Sequence, residues 1–141
     1  MLQAAETVKR QYPDKLNLQI VTGLPFDEYV RTMLGSDAIM DQLYSYTPSM
    51  NPLEAMAHGI ICIGGGEPEN YEIIHEPTLR PIINVLPTYE SCVAELTGLV
   101  NHLEIIPRLR RQSYAYVRKH HDHIKVAGQY EAFYRSLQDG L

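Results

Sequence analysis

Tryptophan is absent from this 141-residue chain, and phenylalanine and cysteine occur only twice each. Two cysteines, Cys62 and Cys92, are too few for a disulfide framework, and both sit among apolar residues. A reducing compartment is therefore expected. No apolar run approaches the ~20 residues of a membrane helix, and no charged-then-apolar leader opens the chain. A cytoplasmic protein without a transmembrane segment is the expectation. Basic residues are also scarce, 12 against 17 acidic, and most of them are late. Residues 1–107 hold 5 basic and 14 acidic side chains, whereas residues 108–141 hold 7 and 3. That balance argues against a nucleic-acid partner, and the basic tail reads as a solvated helix face. No Gly-x-Gly-x-x-Gly marks a dinucleotide site.

What is present is the composition of one ordinary globular domain, 45% hydrophobic and 21% charged. Helical spacing is expected over residues 2–12, 25–34, 52–58, about 71–75, 104–120 and 123–138, and in a helix capped by Thr88 with Val93, Leu96, Leu99 and Val100 on one face. Short apolar runs at 17–21, 37–40, 60–63 and 81–85 read as four buried strands. Their alternation with helices predicts an α/β fold. It is read as a three-layer Rossmann-like parallel sheet with helices on both faces. Ligands of such sheets bind where the strands end, here in the loops at 22–25, 41–51, 64–71 and 86–89. Tyr116, Tyr130, Phe133 and Tyr134 recur at helical spacing and are expected to pack in or near the core.

The most specific stretch runs from Tyr44 to Glu69. Asn51 is placed to cap a helix with Pro52 first and Glu54 third, so Glu54 could complete a capping box. The backbone N–H groups of residues 49–53 form a candidate anion site at the positive helix end. Leu53-Glu54-Ala55-Met56-Ala57-His58-Gly59, an apolar strand and Gly65-Gly66-Glu67-Pro68-Glu69 together resemble one known pattern. It is the nucleotide-sugar half of retaining glycosyltransferases with the GT-B architecture, the group 1 type.

The resemblance implies a donor diphosphate at the helix N-terminus and Glu54 on the ribose hydroxyls. It implies a site of Tyr46, Thr47, Ser49, Met50, Asn51, Leu53, Glu54 and Gly65, with no metal or other cofactor. Where the family carries a second glutamate near the donor sugar, this chain has Tyr46. Its first strand, the Arg/Lys loop after it and the N-terminal acceptor domain lie outside the 141 residues. A fragment of a two-domain enzyme is thus implied, inactive in sugar transfer alone and open to self-association through an unpaired sheet edge.

Two other patterns compete. Asp37 to Asp41 resembles the acceptor strand of a flavodoxin-like signalling module, so the alternative expectation is a non-catalytic α/β signalling or interaction module of that topology. His120-His121-Asp122-His123 has two histidines three apart, but no further ligands accompany them. A helix end followed by an Asp122 cap is the expected reading there.

Overall fold

The structure is a computed structural model that describes residues 1–139. Helix α1 (Leu2–Gln11) is followed by an irregular stretch, then α2 (Phe26–Leu34) and β1 (Ala38–Met40). Helix α3 (Met50–Ala57) leads into β2 (Ile61–Gly64), and α4 (Pro68–Ile73) into β3 (Ile83–Asn84). The remainder is helical: α5 (Tyr89–Asn101), a 3-10 turn at Leu103–Ile105, α6 (Ile106–His120) and α7 (His123–Asp139). No helix among the described residues is long and apolar enough to cross a membrane.

The three strands form one parallel sheet in the order β1-β2-β3. Ala38, Ile39 and Met40 stand opposite Ile61, Cys62 and Ile63, while Ile63 and Gly64 stand opposite Ile83 and Asn84. Strand β2 is central and buried throughout, as an uninterrupted apolar run requires when helices cover both faces. Its side chains alternate between two cores. Ile63 joins Val85 with Ala4, Ala5 and Val8 of α1 and Cys92, Leu96 and Val100 of α5. Cys62 joins Met56 of α3, Tyr71 of α4 and Tyr116 of α6. Met33 of α2 packs on Ala55 and Ile60, beside Ile39, on this second face. Helices α1 and α5 therefore cover one face, and α2, α3, α4 and α6 the other.

The strand expected at 17–21 does not form. Those residues carry no regular structure, and no backbone hydrogen bond ties them to the sheet among the described residues. A strand is defined by its partner, and β1 does not reach this one. Ile20 is left 60% exposed. The strand expected at 81–85 is paired only over Ile83–Asn84, and the helix expected from 71 begins at Pro68.

The aromatic expectation also fails in part. Tyr116 is fully buried, but Tyr130, Phe133 and Tyr134 of α7 are exposed. Their spacing creates an apolar stripe, yet α7 turns away after Asp122 and offers that stripe to no core. The turn itself is as expected. Asp122 Oδ1 accepts hydrogen bonds from the Ile124 and Lys125 N–H groups at 3.1 Å each.

Long-range polar bonds fasten α6 to the connection between α4 and β3. The Glu76 side chain is fully buried, and its Oε2 lies 2.6 Å from both Lys119 Nζ and His120 Nε2. Oε1 accepts from the Thr78 and Leu79 N–H groups at 2.8 and 2.9 Å. Burial by itself would raise this carboxyl's pKa. The bonds from His120, Leu79, Lys119 and Thr78 outweigh it and hold the group well below the usual carboxylate range.

Candidate functional site

The carboxyl ends of β1 and β2 meet the loop of residues 41–49 and the N-terminus of α3. This helix begins at Met50 with Ser49 as its N-cap, so Pro52 falls at the third helical position and Glu54 at the fifth. The capping-box expectation is thereby corrected. Asn51 lies inside the helix, and its Oδ1 accepts a hydrogen bond from the Tyr29 hydroxyl of α2. A proline lacks the N–H that the first turn leaves free anyway, so Pro52 fits its third position as well as the first.

The cap comes from Asp41. Its carboxylate accepts from Ser49 N–H at 3.1 Å and from Ser49 Oγ at 2.9 Å. A side-chain anion thus sits at the positive end of α3, where such a charge is stabilising. Asp41 was the acid of the competing signalling pattern, and here it is engaged at the helix start. Its charge and burial push the neighbouring Cys62 thiol up to about 12, burial contributing more. Cys62 is therefore a protonated core residue rather than a nucleophile.

Beneath the loop lies the triple glycine. Gly65 N–H donates to the Gln42 carbonyl at 3.3 Å, and a methyl group on Gly65 would overlap the Ser45 carbonyl oxygen. Gly66 N–H donates to Asn84 Oδ1 at 2.9 Å, and a Cβ there would lie 2.7 Å from an Ile82 methyl. Close backbone approach, rather than turn conformation, is what these glycines provide. Beside them, Glu67 holds a buried oxygen without a hydrogen-bond partner.

The expected site residues divide into two groups. Gly65 is buried, Ser49 and Leu53 are half-buried, and all three are structural parts of the floor. Leu53 packs on the core of Met56, Cys62 and Tyr71. Tyr46, Thr47, Met50, Asn51 and Glu54 are exposed around it. Glu54 Oε1 lies 3.3 Å from His58 Nε2, one turn along α3, with the Glu54 side chain 65% exposed. Asp41 and Asn84, which fix the floor, were not among the expected site residues. The only sequence signal for either is a polar side chain at a strand's end.

Among the described residues, no three His, Cys, Asp or Glu side chains gather at metal-binding distance. His120 is directed to Glu76 instead. No family model, curated protein or solved structure matches the chain.

Proposed function

We propose that this chain is the donor-binding half of a sugar transferase resembling the GT-B type. In this reading the fold is Rossmann-like, with its first strand outside the 141 residues. It binds a nucleoside diphosphate sugar, and an acceptor domain of the same parent completes the enzyme. One observation carries the reading. The carboxylate of Glu54 is free of backbone duty and stands exposed on α3, the helix that follows a loop with two exposed tyrosines, Tyr44 and Tyr46, seated on Gly64–Gly66.

A carboxylate can accept two hydroxyl donors at once, which suits a ribose diol. Tyr44 and Tyr46 present phenol faces on which a base or sugar ring can stack. Only the Met50 and Asn51 N–H groups remain for phosphate at the helix start, since Asp41 holds that of Ser49. The reading therefore includes weak nucleotide binding by the chain alone.

Calorimetric titration with millimolar uridine or guanosine diphosphate tests the reading. Charge-assisted bonds to Glu54 contribute about 1.5–3 kcal/mol. Glu54→Gln should weaken binding roughly tenfold or more, at 1.4 kcal/mol per factor of ten. Its melting temperature should barely move, because the carboxylate is solvated. Equal affinity of the two chains would remove Glu54 from the site.

A further inference from the structure

The geometry points to a strand-binding slot beside β1, which takes one extended apolar segment of polypeptide parallel to that strand. A cleft of about 500 Å³ separates β1 from residues 15–21. The outward backbone of β1 is unpaired along one wall, and residues 17–21 across from it make no backbone hydrogen bond among the described residues. In the ladder with β2, Asp37 O accepts from Ile61 N–H and Asp41 N–H donates to Ile63 O. Peptide groups alternate sides along a strand, so Ala38 and Met40 turn their N–H and C=O into the cleft. Residues 17–21 offer a second unpaired row opposite. Above and below, the cleft is lined by apolar side chains of both helical layers, Met33 from α2 and Leu96 and Val100 from α5. Peptide backbone is the one common partner that satisfies two such rows at once.

Chain direction identifies the occupant. Asn101 at the end of α5 donates to the Tyr12 hydroxyl, and Tyr29 near the start of α2 reaches Asn51 at the start of α3. Residues 13–25 therefore run from the amino to the carboxyl side of the sheet, parallel to β1. From there the chain steps through α2, α3 and α4 in one direction across the sheet, with all three helices on one face. Helix α1 lies on the other face. Parallel crossovers are right-handed in nearly every case, so a strand feeding α1 must step the opposite way. It must then lie between residues 15–21 and β1, which is where the cleft is. Tyr89 at the start of α5 donates to Thr7 at 3.0 Å, which sets the start of α1 at the carboxyl side, where that strand would end. The occupant is thus the polypeptide entering α1, apolar on both faces. Its source, though not the slot, rests on the two-domain reading above.

Amide hydrogen exchange tests the slot without nucleotide, so its failure and that of the donor reading are separate results. In the 141-residue chain, the Ala38 and Met40 amides should exchange quickly while those of β2 are protected. Extending Met1 by a short turn and a Val/Ile-rich strand of about six residues should slow exchange at Ala38 and Met40 by about a hundredfold or more. A Gly/Ser extension of equal length should not. Met40→Pro removes an outward N–H that the β2 ladder does not use. It should leave the unextended chain folded and abolish the protection gained in the extended one. Protected Ala38 and Met40 amides in the unextended monomer would overturn the slot, as would an extended monomer without added protection. Protection that vanishes on dilution would mean a second copy occupies the cleft, and would overturn the proposed occupant.

Discussion

Replacing Glu76 by Ala is expected to lower unfolding free energy by about 1–3 kcal/mol, the usual cost of leaving buried hydrogen-bonding partners unsatisfied. That is a large share of the ~5–15 kcal/mol that holds a domain folded. The substitution strands the His120 imidazole and the Thr78 and Leu79 N–H groups and removes the link between α6 and the chain ahead of β3. Glu76→Gln separates charge from shape. It keeps an acceptor for the two N–H groups but turns an amide toward two donors. Urea unfolding of the three chains measures the series, and a loss below 1 kcal/mol for the Ala variant would refute the anchor.

Acid should reproduce the effect. The Glu76 carboxyl has a folded pKa below its ordinary value of 4.5. A depressed carboxylate stabilises the fold fully above the unfolded value, and the contribution fades as pH falls toward the folded one. The stability gap between wild type and Glu76→Gln should be constant near neutral pH and narrow steadily below 4.5. A gap that widened in acid would contradict the assignment.

The second large effect is expected at Gly65. An alanine methyl there overlaps the Ser45 carbonyl oxygen, a backbone atom that cannot rotate aside. The loop over the end of β2 must lift, and overpacking of this kind costs about 1–3 kcal/mol or more. Gly98, inside α5 with open space around its missing Cβ, is the internal contrast. Alanine at that position should stabilise the helix by up to about 1 kcal/mol. Opposite signs for these two substitutions in thermal melts would establish that Gly65 is fixed by contact rather than by chain flexibility.

Local signals were legible where one residue type can do one job. Thr88 caps α5 through its side chain, accepting from Ser91 N–H at 3.2 Å, and Asp122 caps α7. Continuous burial of β2 followed from its apolar run. What failed depended on partners far away in sequence. Residues 17–21 have the composition of a strand, but pairing is decided by what lies beside them. The α7 stripe has helical period, yet periodicity does not say whether a surface exists to receive it. Register at α3 was misread because Pro52 is equally at home in any position of a first turn. Glu76 had no signal as an anchor, since its basic partners Lys119 and His120 lie some forty residues downstream. The candidate site was legible as a loop, helix and glycine run, whereas the Asp41 cap was not, because it spans eight residues of irregular chain.

The two buried thiols divide between the two cores, Cys92 under α1 and α5 and Cys62 under α3, α4 and α6. Each face of the sheet thereby contains its own chemical clock. A thiol-alkylating reagent can reach either sulfur only when its layer of helices lifts, so mass spectrometry of the singly labelled chain reads out which layer opens first.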